Sequence, residues 1–82
     1  MILEIVTPEQ ALLKEEVDAV TIPGALGEFG ILPGHTTLLS ELGNGKLSYQ
    51  KGPENKFLEI SGGFAEVREN HVTVLADRVT QQ

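Results

Sequence analysis

No cysteine occurs among the 82 residues, which excludes disulfides and thiolate metal sites and leaves the redox compartment unread. No apolar run approaches the ~20 residues of a membrane-spanning helix. Met1 leads straight into the strand-like run Ile2 to Val6 with no basic segment before it. No signal peptide is visible, and a cytoplasmic chain is the default expectation. Positive charge is scarce: six Lys and Arg, scattered from Lys14 to Arg78, face twelve Asp and Glu, for a net charge of −6. Binding phosphate backbones needs clustered cations, so nucleic acid is excluded as a partner class. An acidic surface serves solubility, and it can also steer a domain toward a basic protein partner. The chain has no internal repeat, low-complexity tract or linker, and its length gives one domain spanning residues 1–82. A domain of this size buries only about 60% of its unfolded surface, so its core is thin. The 40% hydrophobic content still suffices to build one.

What the chain does have is the run Gly27-Glu28-Phe29-Gly30-Ile31-Leu32-Pro33-Gly34-His35. Glycine removes the steric cost of positive φ, and proline fixes φ while deleting a donor. Such a run is neither a regular helix nor a central strand; it reads as a shaped loop. Phe29, Ile31 and Leu32 make it partly apolar, so it packs either against the core or against a partner. Shaped, partly apolar loops are used for binding more often than as slack.

Elsewhere the chain reads as short strands divided by turns. Ile2 to Val6 is β-rich, and Val17 to Ile22 alternates with apolar residues on both faces, as in a sandwich. Gly43-Asn44-Gly45 signals a tight turn between Leu38-Leu39 and Leu47-Ser48-Tyr49. Further turns are signalled at Lys51 to Asn55 and at Glu69-Asn70. This spacing predicts an all-β sandwich or barrel. Ser61-Gly62-Gly63 interrupts the run from Phe57 to Val67 and predicts a sharp corner, where a strand bends or reverses. One segment allows two readings. Thr7 as N-cap, Pro8 at the first helical position and Gln10 completing a capping box predict a short helix through Glu16. The alternative is a turn at Pro8 to Gln10 followed by a strand through Leu12 and Leu13.

Several chemistries find no support. Gly27, Gly30 and Gly34 have the wrong spacing for a dinucleotide fingerprint. Gly45-Lys46 lacks the glycine and the hydroxyl residue of a phosphate-binding P-loop, having Ser40 and Leu47 there, and no helix start follows; a hairpin turn is the expectation. His35 and His71 show no metal-ligand spacing. His71 reads as a solvated turn residue, and His35 as a local hydrogen bond closing the loop or a polar contact to a partner. Glu15 and Glu16, adjacent on a strand, point to opposite faces and cannot form an acid–base pair. No catalytic, cofactor-binding or metal residue is assigned.

Three ordered pieces resemble one family. They are the run Gly27 to His35 with Leu38-Leu39-Ser40 and Gly45-Lys46-Leu47; Leu58-Glu59-Ile60-Ser61-Gly62-Gly63-Phe64-Ala65-Glu66-Val67; and Asn70-His71-Val72-Thr73-Val74-Leu75-Ala76-Asp77. The opening, Ile2 to Gln10, fits as well. Together they resemble the N-terminal β domain of the epsilon subunit of F-type ATP synthase, over almost the whole chain. The resemblance implies a flattened β-sandwich or barrel of about ten short strands. It also implies that Ala11 to Glu16 is a strand, since tertiary pairing overrides weak helix propensity.

The function it implies is mechanical: a non-catalytic central-stalk subunit that joins the gamma subunit to the c ring, so that proton-driven rotation supports ATP synthesis. The implied location is the cytoplasmic face of the bacterial inner membrane, within a peripheral complex and without membrane insertion of its own. By the same resemblance Glu28 faces the c ring, His35 and Ser40 face gamma, and Gly27, Gly30, Pro33 and Gly34 set the loop's shape. Neither a cofactor nor a small-molecule substrate is implied. Most bacterial members continue into a C-terminal helical hairpin that can inhibit hydrolysis and in some binds ATP. This chain stops at Gln82, so no hairpin-based inhibition and no ATP site are expected. Two other readings are a free-standing small β-sandwich protein-binding module, distinguished by gene context, and a small-ligand enzyme of sandwich fold, distinguished by a thermal shift with a metabolite.

Overall fold

A computed structural model describes residues 1–81. Eight strands follow in chain order: β1 (Ile2–Val6), β2 (Ala11–Glu16), β3 (Ala19–Gly24), β4 (Gly27–Ile31), β5 (Leu38–Glu41), β6 (Asn44–Lys51), β7 (Glu54–Arg68) and β8 (His71–Gln81). Hydrogen bonding links them in the order β2-β1-β8-β7-β6-β3-β4, with β5 paired to β7 off this path. All pairs are antiparallel except β1 with β8.

The two long strands explain the architecture. The first half of β7 pairs with β6, from Asn44↔Ser61 to Lys51↔Glu54. Its second half pairs with β5, from Leu38↔Val67 to Glu41↔Phe64. β8 follows β7 through both halves, with the ladder interrupted only between Ser61↔Arg78 and Gly63↔Ala76. One layer therefore holds β2, β1, the start of β8, the end of β7 and β5. The other holds the end of β8, the start of β7, β6, β3 and β4. With β7 and β8 each serving both layers, eight continuous strands supply ten short sandwich strands.

The corner sits where the sequence places it, at Gly62 and Gly63, with φ of 67° and 113°. A Cβ on Gly63 would lie 2.0 Å from the Leu75 carbonyl oxygen. The neighbouring chain crosses between layers at the same level: Leu42 N–H donates to Gly63 O at 2.8 Å, and Gly62 N–H to Gly43 O at 3.3 Å. This corrects the hairpin expected at Gly43-Asn44-Gly45. β5 and β6 do not pair with each other; each pairs with a different half of β7, so the glycines mark a crossing rather than a reversal.

The crossing is also written in the alternation. Inward residues in β7 are Leu58 and Ile60 before the corner but Ala65 and Val67 after it, so the parity flips. Leu3, Ile5, Ile22, Ile31, Leu47, Val72 and Val74 are fully buried between the layers, each worth roughly 1.5–3 kcal/mol of transfer free energy. Among the described residues the core includes no buried polar or charged residue.

The helix expected after Thr7 is not formed. Thr7 N–H donates to Gln10 O at 2.9 Å, Gln10 N–H to Thr7 O at 3.3 Å, and Thr7 Oγ1 to Gln10 O at 3.2 Å. The residues of the apparent capping box thus close a turn, and β2 pairs back on β1 from Val6↔Ala11 to Ile2↔Glu16. Pairing with β1 and partial burial of Leu12 and Leu13 against the core outweigh helix propensities that differ by only a few tenths of a kcal/mol per residue. Glu15 and Glu16 diverge, as expected for neighbours on a strand. Glu15 accepts from the Tyr49 hydroxyl at 3.1 Å and from Lys51 Nζ at 3.0 Å, while Glu16 is exposed. The Lys51 ammonium holds the Glu15 carboxyl below its usual range, and burial together with the Glu15 contact pushes the Tyr49 hydroxyl up to about 12. This network ties β2 to β6.

Candidate protein-docking site

The run Gly27 to His35 divides into two parts. Its first five residues form β4, the last strand of its layer, paired with β3 from Val20↔Ile31 to Gly24↔Gly27. What the sequence shows as a single loop therefore begins as an edge strand. Ile31 is fully buried and Phe29 packs partly against the core, whereas Leu32 is 64% exposed. Of the three apolar residues, two serve packing and one faces solvent.

The remainder, Leu32 to His35, continues through Thr37 to carry the chain from β4 to β5, the edge strands of the two layers on the same flank. Leu32-Pro33-Gly34-His35 is a closed turn in which His35 N–H donates to Leu32 O at 3.1 Å. Pro33 at its second position and Gly34 at its third, with φ of 85°, are the residues a type II turn requires. The Gly34 N–H donates to Asn70 Oδ1 at 2.6 Å, fastening the turn to the β7–β8 hairpin.

Glu28 is exposed on β4 opposite Pro23, with Gly27 opposite Gly24 and Gly30 opposite Thr21. His35 is exposed, its Nδ1 2.7 Å from the Thr36 carbonyl oxygen. Ser40 is half-buried on β5 opposite Ala65 and donates to the Glu41 carbonyl at 3.2 Å. Ala25 N–H donates to Glu41 O at 2.9 Å, bringing the β3–β4 turn against β5. A cleft of about 360 Å³ separates them, with Leu26, Phe29, Leu39 and Ser40 in its lining. The fold thus brings Ser40 to the turn from which Glu28's strand leaves. His35 lies ahead of β5, on the side of the β7–β8 hairpin.

Two features were missed in the sequence. The first is an apolar strip on the outer face of the layer containing β5. Phe64 and Leu75 pair directly across β7 and β8 and are 52% and 51% exposed, and Leu39, on the adjoining strand, is 70% exposed. Alternation holds the signal for Phe64, since an inward Ala65 and Val67 leave Phe64 facing out. The second is His71, read as a solvated turn residue. It is half-buried at the start of β8, its Nε2 3.1 Å from Glu4 Oε1 on β1. Among the described residues no group of three or more His, Asp or Glu could hold a metal ion.

The surface around the run Gly27 to His35 thus combines an edge strand with an exposed acid, a closed turn and an apolar strip. The model of the β-sandwich domain of ATP synthase delta and epsilon chains matches residues 1–82. An ATP synthase epsilon chain of Nitratidesulfovibrio vulgaris (strain Miyazaki F) is 55% identical over 75 residues, covering 92% of this chain and 56% of that protein. ATP synthase epsilon chain 2 of Syntrophotalea carbinolica is 48% identical over 80 residues, covering 98% and 58%. This chain therefore spans a little over half the length of these relatives. A chain in the structure of the Euglena gracilis mitochondrial ATP synthase OSCP/F1/c-ring assembly superposes with a TM-score of 0.91 at 32% identity, covering 99% of this chain and 52% of that one. A chain in the central stalk and c-ring structure of the Tetrahymena thermophila enzyme shares the fold, with a TM-score of 0.84 at 18% identity. The chain belongs to the β-sandwich domain family of ATP synthase delta and epsilon chains.

Proposed function

We propose that this chain is the rotor-binding β domain of an epsilon subunit, a non-catalytic part of the central stalk that joins gamma to the c ring in a proton-driven ATP synthase. The observation that carries the proposal is the likeness, over 99% of the chain, to a component of a solved F1/c-ring assembly. Its working location is the cytoplasmic face of a bacterial inner membrane, held there by the complex.

In this reading Glu28 meets basic groups on the polar loops of the c ring. Its exposure at a sheet edge supports that role, and also limits its energy, because an exposed ion pair is worth ~0–1 kcal/mol. Glu28 orients the contact more than it drives it. His35 and Ser40 meet gamma, while Gly27 and Gly34, at φ of 136° and 85°, set the shape of the contact together with Pro33; Gly30, whose φ is not positive, has no such need for glycine. The driving force for gamma comes from apolar area, and the outer-face strip of Leu39, which adjoins Ser40 on β5, with Phe64 and Leu75 is its source. The test is calorimetric titration of the chain into its cognate gamma subunit. Saturable binding weakened by His35→Ala and by Phe64→Ser is expected; no association with gamma would overturn the proposal.

A further inference from the structure

We infer that Asn70 is the positioning residue of the docking turn: its side chain, carried by the β7–β8 hairpin, fixes the conformation in which Leu32 to Thr37 presents His35. The consequence for binding rests on the reading of His35 as a gamma contact, whereas the tether itself does not.

The segment leaves the sheet after Ile31, paired with Val20, and rejoins it at Leu38, paired with Val67. Among the described residues, nothing between these two points has a strand partner. The bonds within the segment, His35 N–H to Leu32 O and His35 Nδ1 with Thr36 O, shape it without fixing its place on the domain. The Gly34 N–H to Asn70 Oδ1 bond, at 2.6 Å, joins residues 36 apart in sequence and so ties the segment to a distant part of the fold.

Asn70 is itself held from several sides. It is the second residue of the two-residue turn between Arg68 and His71, with φ of 61°, and Glu69 before it has φ of 50°. Two successive positive φ values make this a type I′ hairpin turn, which suits Asn at either central position. The Asn70 carbonyl accepts from Ile2 N–H at 2.9 Å, and the adjacent His71 reaches Glu4 on the same strand β1. The acceptor that receives Gly34 is therefore mounted where β7, β8 and β1 meet. Asparagine meets both demands of the position, a left-handed backbone and a side-chain oxygen. Glycine would meet only the first, and aspartate both.

These alternatives make the test. Asn70→Gly preserves the turn and deletes the acceptor; Asn70→Asp restores it. Amide hydrogen exchange at Gly34 is expected to quicken roughly two- to tenfold in Asn70→Gly, the range for losing one ordinary hydrogen bond, and to return in Asn70→Asp. Affinity for the cognate gamma subunit is expected to fall in Asn70→Gly and recover in Asn70→Asp, while thermal stability stays close to the parent's. Unchanged Gly34 exchange in Asn70→Gly overturns the inference. So does faster exchange with unchanged gamma affinity, if His35→Ala weakens binding. If His35→Ala leaves binding intact, the reading of His35 fails, and the exchange measurement alone decides the tether.

Discussion

Replacing Gly63 by alanine puts the corner of the sandwich under direct test. The added methyl would meet the Leu75 carbonyl oxygen at 2.0 Å and the Ala76 Cα at 2.9 Å. Both are backbone, so no side chain can swing away; β7 and β8 must separate locally. The backbone at residue 63 also has φ of 113°, where an alanine carries strain of roughly 1–3 kcal/mol. Overpacking adds a similar amount, about 1–3 kcal/mol. Together they cost roughly 2–6 kcal/mol, against the ~4–12 kcal/mol that a domain of this length has in total. Urea unfolding should show the midpoint falling steeply, or the variant unfolded in buffer. Two companion variants grade the argument. Gly62→Ala meets only the Asp77 carboxylate, a side chain that can yield, though its φ of 67° remains unfavourable, so about 1–2 kcal/mol is expected. At Gly30 a Cβ meets nothing within 4 Å and φ is not positive, so alanine should be neutral or slightly stabilising. Gly63→Ala within about 1 kcal/mol of the parent, or no costlier than Gly30→Ala, would refute the assignment of this corner as the sterically closed hinge between layers.

Tyr49 is the chain's single tyrosine, so phenolate absorbance titrates it alone. Burial and the Glu15 contact push it up to about 12 from its ordinary 10, so the folded state keeps a proton that the unfolded chain releases. Stability present below pH 10 should therefore be lost as pH rises toward 12, by about 1.4 kcal/mol per unit, and Tyr49→Phe should remove that slope; a phenolate midpoint near 10 would contradict the network. Glu28→Lys should leave the melting temperature unchanged, because the side chain is exposed, and weaken binding to the c ring by up to roughly fivefold at low salt. The difference should shrink as salt is raised, and a salt-independent loss would mean that Glu28 does not act through charge.

Much of the fold was legible because alternation and turn chemistry are local signals. Glu69-Asn70 and the turn at residues 52–53 are two-residue reversals between strands that pair directly, and Gly62-Gly63 marks a corner whose parity flip is written in Leu58, Ile60, Ala65 and Val67. Gly43 to Gly45 misled, because a glycine-rich bend looks the same in sequence whether the chain reverses or passes to the opposite layer. Only the long partner β7, which receives β5 and β6 on different halves, separates the two cases. Thr7 to Gln10 misled for a related reason. The hydroxyl and amide side chains that cap helices also stabilise turns, and the deciding term is pairing with β1. At the docking surface, the type II turn could be read from Pro33-Gly34. The bond from Gly34 to Asn70 could not, since its partners lie 36 residues apart. The exposed strip at Phe64 and Leu75 needed the β7–β8 register before it became a surface.

The central claim is that one small sandwich joins two partners at once. Recovery of the cognate gamma subunit and the detergent-solubilised c ring on the tagged chain tests it most directly. Gamma and the c ring should be recovered together in one complex, with Glu28→Lys losing chiefly the ring and Asn70→Gly chiefly gamma. Recovery of either partner only in the absence of the other would contradict the account, because a joint must hold both.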